Sequence, residues 1–214
     1  MLEDDAFKVI HKAWRRLGYP FDSLVPSYAT SIGSSGDRPA ALAELMGILV
    51  REGVRVPSGR LGQLDFARGT PFETVLDPER VAGQRVLPAE IAATVKKALE
   101  DVVQNGTARR ARGAFVLSDG TAIPIGGKTG TGDHRFDTFD RRGLLIESRV
   151  VNRAGTFVFF IGDRYFGTVT AYVPGPRAAD YHFTSALTVQ ILAKLAPELL
   201  PMMEKRGFTK PEGS

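Results

Sequence analysis

The 214-residue chain contains no cysteine, so it has neither a disulfide framework nor a thiolate metal site. Absence of that residue suits an oxidising compartment without requiring one. A strong charge of either sign is missing too, because 28 lysines and arginines against 24 acidic residues leave a net charge of only +4. Arg109, Arg110, Arg112, Arg141, Arg142, Arg149, Arg153 and Arg164 are scattered, without the interleaved aromatics of a base-stacking platform. They read as solvated surface, and no nucleic-acid partner is expected. No stretch approaches the length of a membrane span, and the opening Met1-Leu-Glu-Asp-Asp is acidic where a secretory signal is basic. Export would therefore depend on something upstream. Repeats and low-complexity runs are also absent.

What is present is an ordinary globular alternation of helical and extended patterns. Residues 4–17 predict a helix with Phe7, Ile10, Trp14 and Leu17 on one face, Trp14 in the core, and Gly18 as its stop. Residues 19–38, rich in Pro, Ser and Gly, predict a loop. Pro39 opens a second helix with Leu42, Leu45, Met46 and Leu49 as its apolar stripe, and Gly53 follows. Short strands are expected around Arg60–Phe66 and Thr74–Leu76. Pro88 starts a third helix, in which Ile91, Val95, Leu99 and Val102 share a face and Asn105-Gly106 ends the run.

The chain is organised around residues 121–132, Thr-Ala-Ile-Pro-Ile-Gly-Gly-Lys-Thr-Gly-Thr-Gly. An apolar approach, two glycines, a lone cation and hydroxyls alternating with glycine make a strand that lets a ligand lie against its backbone. With period two, Lys128 and Gly130 take one face and Thr129 and Thr131 the other. Ala122–Thr129 also fits a relaxed phosphate-binding loop with Ala in place of the first Gly. That motif works only where Lys-Thr opens a helix, and Gly130-Thr131-Gly132-Asp133 propagates a helix poorly.

Downstream, Asp133, His134, Asp137 and Asp140 invite a metal reading, but no periodicity aims them at one point, and residues 133–143 read as a solvated loop. Thr156–Gly162 and Gly167–Val173 predict an antiparallel hairpin turning at 163–166. A last helix over 178–196 carries Phe183, Leu187, Ile191 and Leu195 and is stopped by Pro197. The polar tail after Leu200 is expected to fray.

Three segments in order resemble penicillin-binding proteins. Pro26–Ser35 with its following helix resembles the stretch after the middle motif of bifunctional glycosyltransferase/transpeptidase enzymes. Gly106-Thr107-Ala108 resembles their helix-ending signature, and Lys128-Thr129-Gly130 is their third catalytic motif. The resemblance covers about Leu17–Pro197. It implies an α/β fold of the α+β type, β-lactamase/transpeptidase-like, with a mainly antiparallel sheet flanked by helices and incomplete in this chain. Residues 1–200 would be the C-terminal part of a transpeptidase domain, and 201–214 a tail.

By that resemblance Lys128 supplies positive charge to a catalytic site. Thr129 and Thr131 bind the terminal carboxylate of a D-Ala-D-Ala stem peptide or a β-lactam, the Thr131 N–H forms half of an oxyanion hole, and Gly130 lets the substrate lie along the strand. No cofactor or metal is implied. The partners would be peptidoglycan and the upstream half of the domain, the membrane being reached only through an upstream anchor. The parent enzyme would work on the periplasmic or cell-surface side of the cytoplasmic membrane.

The family's Ser-x-x-Lys nucleophile and Ser-x-Asn motifs do not occur here. The positions three before each lysine, among them Asp5, Val9, Ala93, Thr94 and Ile125, hold no serine, and Val103 and Val150 stand two before Asn105 and Asn152. The chain alone is therefore not expected to acylate. A non-catalytic penicillin-binding-like module that binds peptide or partner is the alternative.

Overall fold

A computed structural model describes residues 2–18, 24–28, 30, 38–59, 62–77 and 81–208. Most of the expected 19–38 loop, including Ser31–Asp37 of the Pro26–Ser35 stretch and its neighbourhood, lies outside the described residues, as do Arg60 and the last six residues.

The centre is an antiparallel three-stranded sheet, β5 (Ile125–Phe139), β6 (Leu145–Ile161) and β7 (Tyr165–Pro174), in the order β5-β6-β7. Alternation of side chains assigns its two faces. On one, Ile125, Phe157 and Ile161 pack with Phe115 and with Val189, Leu192 and Ala196 of helix α4 (Ser185–Glu204). On the other, Phe160, Val158 and Phe166 meet Met46, Leu49 and Val50 of helix α2 (Pro39–Val50). Helix α3 (Ala89–Gln104) crosses the start of β5, sending Val103 to the first cluster and Leu99 to the second. Helix α1 is Leu2–Arg16, and two small antiparallel pairs, β1 (Val54–Arg55) with β4 (Gln84–Arg85) and β2 (Leu64–Phe66) with β3 (Thr74–Leu76), complete the order.

Most predicted elements form where the pattern puts them, with informative departures. Trp14 is 39% exposed and Phe7 is the buried residue of α1. In α3 the buried positions are Ala92 and Val103, while Ile91 and Val95 face outward. Leu99 and Val102 of the expected face do pack against the two clusters.

Residues 133–143 are not a loop. β5 continues to Phe139 and pairs with β6 through two register shifts, and only the turn at 140–143 is irregular. This ribbon extends beyond β7, whose pairing ends at Asn152 with Pro174, so no core selects an alternating pattern there.

α4 begins at Ser185, later than read, with a 3-10 segment at Pro176–Asp180 before it. It then runs through Pro197 and Pro201. Both prolines are exposed and four apart, so the carbonyls that lose helical partners lie on the outer face. Its buried residues are Thr188, Val189, Leu192, Ala196 and Met203, with Leu187 and Leu195 exposed. Contrary to the sequence reading, α4 is long and apolar enough to cross a membrane by length and composition alone, although this face packs on the sheet. The tail is docked at its start: Phe208 lies edge-on to Tyr165 at 5.7 Å and accepts a bond from the Asp163 N–H.

Candidate functional site

The approach to β5 is a small hairpin. Leu117 N–H bonds to Thr121 O, Gly120 takes φ 86° at the turn, and Val116 bridges Ala122. The Thr121 N–H reaches the Asp119 carboxylate at 2.8 Å and holds it below the usual carboxylate range.

Among the described residues β5 is an edge strand, and one hydrogen bond fixes its phase. The Gly162 N–H donates to Pro124 O at 2.8 Å, immediately before the register pair Ile125–Ile161. In an antiparallel ladder such pairs alternate, so Gly126, Lys128 and Gly130 exchange bonds with β6. The N–H and C=O groups of Thr129 and Thr131 therefore point away from β6, toward the open edge. No register shift interrupts this phase before His134. The Lys128 ammonium donates to Thr129 O at 2.6 Å, in keeping with a carbonyl outside the ladder.

Side chains divide as the period predicts. Thr129 is buried, and its hydroxyl lies 2.6 Å from that of Thr107. Thr131 is exposed; its hydroxyl accepts from the Ser185 N–H at 2.8 Å and donates to Ser185 Oγ at 3.1 Å. Both threonines thus face the side of α4, where the N-terminus of that helix adds favourable potential for an anion. Lys128 lies on the other face, exposed at its end, and among the described residues no carboxylate pairs with it.

The start of α4 is held in place. Arg153 donates from Nε to Phe183 O at 2.8 Å and pairs with Asp133 at 3.0 Å. Across from Thr131, Gly155 lets Ser185 approach so closely that a Cβ would lie 3.1 Å from its nitrogen. On the other flank, Gly106 fits against Val102, Ala108 is fully buried, and Thr107 between them is carried to Thr129.

Lys128-Thr129 lie in mid-strand rather than at a helix start, which removes the phosphate-loop reading. Thr94-Val-Lys96-Lys97, the nearest approach to a Ser-x-x-Lys sequence, sits within α3. Thr94 bonds to Glu90 O, while Lys96 pairs with Asp163 and lies over the Phe160 ring. Among the described residues no group of three or more metal-ligating side chains converges.

The same architecture recurs in solved structures. Penicillin-binding protein 3 of Mycobacterium tuberculosis, in complex with ampicillin, superposes with a TM-score of 0.58 and 18% identity, covering 95% of this chain and 47% of that one. The chain has a penicillin-binding-protein transpeptidase fold. PBPA of the same organism gives a TM-score of 0.52 at 14% identity over 88% of this chain and 42% of its own. In sequence, penicillin-binding protein 1B of Escherichia coli is 27% identical over 130 residues, which is 61% of this chain and 14% of that protein. The chain therefore spans about a seventh of that curated relative and less than half of each of these two solved chains. No protein-family model matches it.

Within this transpeptidase fold the four candidate residues the sequence singles out, Lys128, Thr129, Gly130 and Thr131, lie together on β5, with Thr107 and Ser185 as neighbours that the sequence reading did not name as site residues. Thr107 was visible only as part of Gly-Thr-Ala, with no role attached. Ser185 carried no signal beyond being a hydroxyl residue near a helix start.

Proposed function

We propose that the chain is the Lys-Thr-Gly wall of a peptidoglycan D,D-transpeptidase domain, binding D-Ala-D-Ala stem peptide or β-lactam during cell-wall cross-linking. The observation that carries this reading is the open half of β5, where Thr129 and Thr131 turn both hydroxyls to one face and their backbone groups to an unpaired edge. Gly130 adds nothing that would obstruct a substrate backbone, since a Cβ there would meet no atom within 4 Å.

In this role the substrate lies along the edge, with its terminal carboxylate accepting from the Thr129 and Thr131 hydroxyls. The outward Thr131 N–H donates to the carbonyl oxygen of the bond under attack and stabilises the charge that develops there. Lys128 contributes positive charge on the opposite face and keeps neighbouring hydroxyls poised for proton transfer. The attacking serine, its lysine base and the second oxyanion donor belong to a Ser-x-x-Lys segment encoded upstream. The parent enzyme acts on the outer side of the cytoplasmic membrane, held there by an upstream anchor.

Fluorescent penicillin tests this by covalent labelling of the 214-residue chain beside a version carrying the preceding coding sequence. Labelling of the extended protein alone is expected. Labelling of the short chain would refute the argument from the absent serine. The absence of Ser-x-x-Lys and Ser-x-Asn also favours a second reading, a penicillin-binding-like module that binds without turnover. Labelling of neither protein, with a D-Ala-D-Ala peptide still binding the folded chain, would select it.

A further inference from the structure

Resting on that reading, we propose that Thr107 is a positioning residue that sets the direction of the Thr129 hydroxyl proton and so makes Thr129 a donor to the substrate carboxylate. A hydroxyl has one proton and two acceptor lone pairs. Only the proton helps an incoming anion; lone pairs aimed at it repel it. Thr131 already has its acceptor side occupied by a donor that cannot reverse, the backbone N–H of Ser185 at 2.8 Å. Its own proton, given to Ser185 Oγ at 3.1 Å, is free to turn to a stronger acceptor.

Thr129 has no such backbone donor among the described residues, and its hydroxyl partner there is Thr107, at 2.6 Å. A carboxylate at the strand edge selects the arrangement in which Thr107 donates to Thr129 and Thr129 donates to the anion. Both threonines of the strand then act alike, each fed from the element flanking it.

The local structure supports a dedicated position for Thr107. Gly106 sits so close to the last turn of α3 that an added Cβ would lie 2.9 Å from Val102 O. Ala108 is completely buried and its N–H bonds to Val102 O at 3.1 Å. Between these two fixed neighbours Thr107 is exposed, so its side chain is not demanded by the core. The Gly-Thr-Ala sequence thereby acquires a physical role, with the outer residues fixing the backbone and the middle one holding Thr129.

The test uses the protein extended by its preceding coding sequence and compares benzylpenicillin, which carries the carboxylate, with its methyl ester, which does not. Acylation rates are read by competition with fluorescent penicillin, and melting temperatures check that each variant is folded. Thr107→Val should slow acylation by the acid roughly tenfold, about the value of one hydrogen bond to a charged group, and leave the ester nearly unchanged. Thr107→Ser, which restores the hydroxyl, should recover the acid rate. Thr107→Ala carries the same expectation as valine should the branched side chain disturb the turn. Equal losses for acid and ester, or no loss with either variant, would overturn the inference while leaving the transpeptidase reading intact. Failure of the unsubstituted extended protein to label would instead overturn that reading, and this inference with it.

Discussion

At Gly126 an added Cβ would lie 2.3 Å from the Phe160 ring, and at Gly127 it would lie 2.4 Å from Val158 O, whereas at Gly130 and Gly132 it would meet nothing within 4 Å. The four glycines lie within seven residues of one strand, yet they answer to different demands. The first two are required by packing, because β5 is pressed there between the aromatic rings of β6 and the backbone of α3. The second two border open space, and nothing among the described residues explains their small size. The strand is closed by the chain's own core along one half and bare along the other, and it is the bare half that the proposed substrate would use.

Substitutions can break this comparison, and their expected effects descend in size. Phe157→Ala removes a fully buried ring that backs both Thr129 and Gly127, and should cost about 3–5 kcal/mol in urea unfolding. A loss near that of a surface residue would deny β5 its foundation. Gly127→Ala forces a methyl toward a backbone carbonyl that cannot rotate away and should cost about 1–3 kcal/mol. Gly130→Ala, only three residues on, should change stability by no more than about 0.5 kcal/mol. In the extended protein, however, it should slow labelling by fluorescent penicillin. Equal stability losses at Gly127 and Gly130 would erase the distinction between the halves.

The smallest expected effect lies just before the strand, at Asp119. Its carboxyl has a lowered pKa in the folded chain, chiefly through the Thr121 N–H, so its stabilising contribution is present above the ordinary carboxylate pKa and is lost as pH falls through the lowered value. Asp119→Ala should therefore melt slightly below the unsubstituted chain at neutral pH. That difference should close in acid, and a difference independent of pH would assign the effect to the turn backbone instead.

The sequence was most legible where one pattern meets one environment. The β6–β7 hairpin alternates because its two faces meet different layers, and Lys128-Thr129-Gly130-Thr131 kept its period because no bulge intervenes. Three kinds of information were not local. Which side of α3 is buried depends on the layers that meet it, so Ala92 and Val103 are buried where Ile91 and Val95 are not. The ribbon from Asp133 to Phe139 is held by pairing with β6 rather than by burial, so it lacks a strand's usual alternation. Pro197 stops a helix only where the lost carbonyl bond would be buried, and here it faces outward. Hydrophobicity assigns Trp14 to the core, but Phe7 alone of that predicted face is buried. Of the candidate site, the strand residues could be read directly, whereas the Thr107 and Ser185 contacts join positions 22 and 54 residues apart.

The most direct measurement is amide hydrogen exchange on the extended protein, resolved along β5, before and after acylation by ampicillin. The account predicts that the outward amides of Thr129 and Thr131, unbonded to β6 before reaction, become protected, while Gly126 and Lys128, already bonded to β6, change little. Acylation that left Thr129 and Thr131 exchanging as before, with new protection confined to another surface, would contradict the assignment of this edge as the substrate wall.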